Sequence, residues 1–184
     1  MRNNVKTWGP DFDPQPTLVG PSVTLDPTLA ADWDGLFAVA ADPLIWALHP
    51  AHDRWQESVF KRFFDEGRAS GGMLTIRDRQ SGTIIGSSRF DISRTRPGEV
   101  EIGWTFLARS HWGGTTNAEV KRLMIGRAAG LFDTVVFTIG AANTRSRRAI
   151  EKLGGVLMPD RRLDIPMAGV PTSHVVYAIR CSAA

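Results

Sequence analysis

Between Glu99 and Phe132 the chain changes its hydrophobic period once, and that change limits the folds open to it. Glu99 to Leu107 alternates polar and apolar residues, the two-residue repeat of a strand. Arg109 to Thr116 has no periodicity and contains Gly113 and Gly114. From there Val120, Leu123, Met124, Ala128, Leu131 and Phe132 fall at helical spacing. A strand, a glycine-bearing turn and a helix therefore follow one another. Successive main-chain N–H groups at such a turn, with the positive helix end behind them, make an anion site. Taken alone, Gly113-Gly114 reads equally well as a tight turn. Two phosphate motifs are excluded, since the chain has no G-x-x-x-x-G-K-[ST] and no G-x-G-x-x-G after a strand.

The flanking sequence fills in the architecture. Residues 1–21 carry Pro10, Pro14, Pro16 and Pro21, which predicts an extended N-terminal arm laid on the surface. Residues 22–184 then read as a single domain. Val23 to Leu25 is a short strand. Thr28 to Ala41 places Leu29, Trp33, Leu36, Phe37 and Ala40 on one helical face, and Pro43 stops that helix. His52 to Ala69 is a second helix. Its stripe of Trp55, Val59, Phe60, Phe63 and Phe64 reads as core before it reads as a pocket lining. Met73–Arg77 and Thr83–Phe90 flank the polar turn Asp78–Gly82 as a hairpin. Beyond the central helix, closed by Asp133-Thr134, Val135–Ile139 is a buried strand. A further helix opens at Asn143 and stops at Gly154-Gly155. Strands are expected at Val156-Leu157, Arg162–Ile165 and His174–Arg180, separated by Pro166 and Pro171. This order predicts a mixed α+β sheet and not a doubly wound one.

Composition narrows the function. With 184 residues, 42% hydrophobic and 22% charged, the chain can bury a core in one domain. No run approaches the ~18–20 consecutive apolar residues of a membrane span, and the N-terminus lacks the apolar region of a signal peptide. Cys181 is the only cysteine. It cannot form an internal disulfide, and a cytoplasmic location is expected. Cys181 and the four histidines lack ligand spacing, so no metal is expected. The net charge is +3, the isoelectric point is about 9.5, and there is no Lys/Arg block. That balance disfavours nucleic acid and suits a small polyphosphate ligand. No membrane partner is expected.

Three pieces, in chain order, carry a family resemblance: Glu101-Ile102-Gly103-Trp104, His111-Trp112-Gly113-Gly114, and Asn143-x-x-Ser146-x-x-x-x-Glu151-Lys152-x-Gly154. Over residues 20–181 the chain resembles the GNAT superfamily of acyl-CoA N-acyltransferases. More narrowly, it resembles the RimJ/RimL-like (ribosomal-protein N-terminal acetyltransferase) branch. The resemblance implies an α+β fold with a mixed, mainly antiparallel twisted sheet flanked by helices on both faces. It also implies acetyl-CoA (coenzyme A) as cosubstrate, no metal, and direct acetyl transfer to a primary amine of a protein N-terminus or a small molecule. By the same resemblance, the main chain of Thr105, Phe106 and Leu107 pairs with the pantetheine arm. Trp112, Gly113, Gly114, Thr115, Thr116 and Asn117 hold the pyrophosphate. Asn143 lies beside the pantetheine and Ser146 near the sulfur.

Three departures and alternatives accompany it. The family loop reads R/Q-x-x-G-x-G/A, whereas Thr115 and Asn117 stand at its second and third small positions, where their side chains could crowd the phosphates. Ile150 stands where many members carry a Tyr acid, as is common in the RimJ/RimL-like branch; this leaves the acid unassigned, with Ser146, near the sulfur, a candidate donor to the leaving thiolate. Arg145, Arg147 and Arg148 cluster at a helix start, against the dipole. The 3′-phosphate of CoA would relieve Arg148 and its neighbours; a solvated basic face is the other reading.

Glu101 is the candidate general base, because a protonated amine must lose a proton before it attacks. Strand alternation sends Glu101, Gly103 and Thr105 to one face and Val100, Ile102, Trp104 and Phe106 to the other. A structural carboxylate paired with an arginine such as Arg89 is the competing reading. His174 and Tyr177 on the last strand could face the acceptor, and the last strand pair could serve as a homodimer edge. A non-catalytic CoA-binding or regulatory module is the alternative function.

Overall fold

The computed structural model describes residues 8–167 and 169–181. Its elements run β1 (Leu18–Val19), β2 (Val23–Pro27), α1 (Trp33–Ala40), α2 (Pro43–Trp46), α3 (Glu57–Ala69), β3 (Met73–Asp78), β4 (Ile84–Asp91), β5 (Glu99–Leu107), α4 (Thr116–Ala128), β6 (Thr134–Gly140), α5 (Thr144–Glu151), β7 (Val156–Met167) and β8 (Val170–Arg180). The strands form one sheet in the order β1-β2-β3-β4-β5-β6-β8-β7. Every neighbouring pair is antiparallel except β5 and β6. A parallel pair needs a long crossover, and α4 supplies it. This is the mixed, mainly antiparallel α+β sheet expected from the sequence.

Each face of the sheet buries its own apolar cluster. On one, Val120, Met124 and Ala128 of α4 and Ile150 of α5 meet Val100, Ile102, Val135 and Phe137. On the other, Leu36 and Ala40 of α1, Trp46 of α2 and Phe60, Phe63 and Phe64 of α3 meet Met73 and Phe106. The aromatic stripe on α3 is thus core, each ring contributing about 1.5–3 kcal/mol by burial.

Several elements differ from their sequence outlines. The first helix is a 3₁₀ turn at Ala30–Asp32 followed by α1. Pro43 does not only stop a helix; it starts another. It takes the first position of α2, where a missing N–H costs nothing, and Asp42 accepts a hydrogen bond from Leu44 N at 3.0 Å. The second helix begins at Glu57, not His52, which leaves Trp55 outside it and 43% exposed. Leu131 and Phe132 lie beyond the end of α4. β7 is one continuous strand with a register shift between Met158 and Arg162. Pro166 and Pro171 face each other across the β7–β8 hairpin. The β6–β8 ladder ends at Gly140↔His174, so Pro171 lies beyond it and its missing N–H breaks no β6 bond.

The N-terminal arm is also more than a surface strap. Its first seven residues lie outside the described residues. Phe12, however, is only 5% exposed. Its ring meets Phe90 at 5.3 Å and Phe132 at 4.9 Å, both edge-on. Leu18 and Val19 then pair with β2 as strand β1. Phe12→Ala is expected to cost about 3 kcal/mol, the usual penalty for emptying a buried phenyl site. Urea unfolding checks this; an unchanged midpoint would show that the ring is not part of the core.

Candidate active site

β5 and β6 pair only through Glu99↔Thr134, Val100↔Val135 and Glu101↔Val136. Beyond that point β5 continues to Leu107 and β6 to Gly140 without pairing to each other. A β-strand edge without a partner presents free main-chain donors and acceptors. The gap opens into a cavity of about 880 Å³ bordered by β5, β6, the turn before α4 and the start of α5. The edge of Thr105, Phe106 and Leu107 assigned to pantetheine therefore does lie beside an open cleft.

A bulge accompanies the parting. The β4–β5 register shifts between Ser87↔Phe106 and Arg89↔Gly103. Trp104 there has φ 52°, a left-handed value that costs a non-glycine residue about 1–3 kcal/mol. Its indole is held by stacking on the Arg89 guanidinium, 3.6 Å from the ring centre. The bulge inserts one residue and breaks the alternation. Trp104 consequently packs with the α1–α3 cluster, and Thr105 reaches α4 on the opposite side. The sequence expectation had these two exchanged, and it also put Phe106 with Val100 and Ile102, whereas Phe106 packs in the α1–α3 cluster.

At the other end of the cavity, Gly113 has φ 76° and Gly114 has open space where a Cβ would stand. Thr115 has an ordinary right-handed backbone (φ −89°, ψ −13°), so that position does not require glycine. Its side chain does not cap α4. The first N–H that reaches back to a turn carbonyl is that of Glu119, to Thr115 O at 2.9 Å. The amides of Thr116, Asn117 and Ala118 are thus left for an outside acceptor. The Glu119 carboxylate is turned away from them and takes N–H groups of Ser22 and Val23. Trp112 anchors the turn by donating its indole N–H to Leu107 O at 3.0 Å.

Glu101 occupies the last paired position before the parting and lines the cavity, with 2% of its side chain exposed. Its ion-pair partner is Arg94 at 3.5 Å. Arg89, the partner considered from sequence, pairs with Asp91 at 3.8 Å instead. Burial raises the Glu101 pKa, against the opposing pull of Arg94 and a hydrogen bond from Thr138. A raised carboxylate pKa brings the group toward neutrality, where a base works best.

On α5, Asn143 is the helix cap, accepting from Ser146 N at 3.1 Å, and both residues border the cavity. The three arginines there separate. Arg145 donates to Ile45 O at 2.9 Å and lies 3.9 Å from the centre of the Trp112 ring. Arg147 donates to Tyr177 and to Ala141 O, both at 3.0 Å. Arg148 is exposed at the cavity rim. Tyr177 is buried and donates to Glu151 at 2.6 Å, so it does not face an acceptor, whereas His174 lines the cavity.

Sequence reading missed Lys121. It is 4% exposed, yet its amine borders the cavity on the α4 side. The amine donates to Thr105 Oγ1, and to Ser88 Oγ at 3.4 Å. Its Nζ also lies 5.9 Å from the centre of the Phe137 ring on β6, so it sits beneath the opening between β5 and β6. Burial pushes its pKa down to about 7. The signal was available: Lys121 precedes Met124 by three residues and Ala128 by seven, on the inner helical face.

The fold and cleft define an acyl-CoA-type transferase architecture, and the comparisons agree. Residues 22–156 match the sequence profile of the Acetyltransferase (GNAT) domain. The chain belongs to the GNAT acetyltransferase family, whose activity is acetyl-CoA-dependent acetyl transfer. No curated protein matches it. Among solved structures it is similar to a GCN5-related N-acetyltransferase from Brucella melitensis, with 21% identity, a TM-score of 0.74, and coverage of 91% of this chain and 80% of that one. It is also similar to the microcin C7 self-immunity acetyltransferase MccE in complex with acetyl-CoA and AMP (15% identity, TM-score 0.73, coverage 91% and 98%). These likenesses describe the fold.

Lys121 gives a pH signature. Its folded pKa lies below the 10.5 of a free lysine, so the unfolded chain binds more protons between these values. That imbalance makes stability rise with pH from about 7 to about 10.5. Lys121→Met is expected to flatten this rise in thermal unfolding followed across that range. An identical slope in wild type and variant would contradict the burial of a depressed amine.

Proposed function

We propose that the chain is an N-acetyltransferase that passes the acetyl group of acetyl-CoA directly to a primary amine, on a protein N-terminus or a small molecule, in the manner of the RimJ/RimL-like branch. The observation that carries this reading is the parting of β5 from β6 immediately after Glu101. It puts an unpaired strand edge, a buried carboxylate and an uncapped helix start around one cavity. The residues suit the cosubstrate: an open edge for an amide-bearing arm, free N–H groups for a diphosphate, and basic side chains at the rim.

When bound, acetyl-CoA supplies the acetyl group as an activated thioester. Thr105, Phe106 and Leu107 would hold the pantetheine by main-chain bonds. The turn from Trp112 to Asn117 would hold the pyrophosphate, with Asn143 beside the arm and Arg148 available to a phosphate. Free N–H groups of the β5 edge favour charge developing on a carbonyl oxygen. Glu101 accepts the proton of the incoming ammonium, and its raised pKa suits that task. Ser146 holds a hydroxyl at the start of α5 for the departing sulfur. Cys181 has no part in this scheme: burial raises its pKa and keeps the thiol protonated. A cytoplasmic location fits that reduced thiol.

Glu101→Gln is expected to lower turnover at neutral pH by about a hundredfold, within the usual range for losing a general base. CoA affinity by calorimetry should stay within a few-fold. An unchanged pH–rate profile would remove Glu101 from the chemistry. Gly114→Glu has room for its side chain and should weaken CoA binding about tenfold or more by setting like charges together. If affinity holds, the pyrophosphate binds elsewhere. CoA binding without thiol release across a panel of amines would favour the non-catalytic alternative.

A further inference from the structure

The cavity wall is electrostatically lopsided. Among the described residues Glu101 is its only carboxylate, against Arg54, Arg94, Lys121, Arg122, Arg145 and other cations. Arg122, Arg148 and Lys152 are exposed to solvent, and three others have an evident partner. Arg94 pairs with Glu101, Lys121 meets hydroxyls, and Arg145 donates to a carbonyl. Arg54 is different. Its guanidinium lies 4.6 Å from the centre of the Phe63 ring and 5.5 Å from that of Trp46. Its NH1 is 3.4 Å from His49 Nε2. No carboxylate forms an ion pair with it among the described residues.

The surroundings do not neutralise that charge. Burial lowers the Arg54 pKa to about 10, with Arg89 adding to the effect and Asp53 and Glu66 only partly opposing it. His49 is pushed down to about 3 by burial first, then by Arg54, His174 and Arg145. His49 Nδ1 accepts from Ala51 N at 2.9 Å, so in the neutral ring Nε2 carries the proton and neither accepts from Arg54 nor balances its charge. Arg54 rests on Trp46 and Phe63, in the α1–α3 cluster, and lines the cavity.

We propose that Arg54 is an oxyanion subsite for the acceptor, so that the substrate is an amine carrying a carboxylate or a phosphate. This rests on the acetyl-transfer reading and names the acceptor class for it. A planar guanidinium backed by two aromatic rings keeps its fork in a fixed direction, which suits two parallel bonds to such a group. The acceptor's positive end faces Glu101 and its negative end faces Arg54. In the transfer, Glu101 first takes one proton from the ammonium, and the amine nitrogen then bonds to the acetyl carbonyl carbon as the C–S bond breaks. The second proton, shed by the nitrogen as the amide forms, goes to the leaving thiolate to give the thiol, and Glu101 returns its proton to solvent.

The test compares ω-amino carboxylates of graded chain length with their amides, and O-phosphoethanolamine with ethanolamine, as acceptors. An amide placed near the amine makes that amine easier to deprotonate, so chemistry alone favours the amide. Wild type is expected to prefer the anionic member of at least one pair about tenfold in kcat/KM, mainly through KM. In Arg54→Met that ratio should fall to near one, and Arg54→Lys should retain part of it. The pair showing the preference separates carboxylate from phosphate. A wild-type ratio of one or less, or an Arg54→Met variant that loses both members equally, overturns the subsite. Calorimetry with the same unacetylated probes, in the presence of CoA, reads it without turnover. Anionic probes that bind wild type and not Arg54→Met support it, and equal binding overturns it. Absence of CoA binding would instead defeat the acetyl-transfer reading, with the calorimetric arm still reporting on Arg54.

Discussion

The parallel ladder between β5 and β6 stops after three residue pairs, and the site exists because it stops. A sheet interior ordinarily spends its main-chain groups on neighbouring strands. Here the bulge at Trp104 turns β5 aside and leaves its far edge unpaired inside the molecule. Arg89, stacked on the Trp104 ring and paired with Asp91, holds the strained backbone in place. The strain is local and is offset by packing on both faces of the sheet.

From that opening the remaining features take their positions. Glu101 is buried and proton-seeking because it is the last residue of the ladder, covered by both strands. The crossover that a parallel pair demands delivers the Gly113-Gly114 turn and the uncapped start of α4 to the mouth of the cleft. Lys121, five residues further along the same helix, reaches beneath the opening and ties Thr105 and Ser88 together. One topological choice thus gathers an uncapped helix start, a buried carboxylate and a buried amine.

Much of the fold was legible in the sequence, because periodicity reports burial directly. The switch at Arg109–Thr116, the hairpin around Asp78–Gly82 and the cap at Asn143 all appear where local chemistry demands them. What escaped has common physical causes. Alternation assumes a constant period, so a one-residue bulge misplaced Trp104, Thr105 and Phe106. Pro43 stops one helix and starts the next with the same geometry, and only the Asp42 cap distinguishes the two. Phe12 looked like part of a proline-rich strap because its partners, Phe90 and Phe132, are distant in sequence. Of the candidate site, Glu101, the turn residues other than Thr116, Asn143 and Ser146 do border one cavity. The pairing of Glu101 with Arg94 and the isolation of Arg54 depend on tertiary contacts that no spacing encodes.

Hydrogen–deuterium exchange with and without CoA tests the central claim most directly, because it reads the very amides on which the account rests. Protection is expected to rise in two separate segments, the β5 edge from Ile102 to Leu107 and the turn from Gly113 to Ala118. Exchange unchanged in both segments at saturating CoA would mean that the opened strand and the free helix start do not hold the cosubstrate.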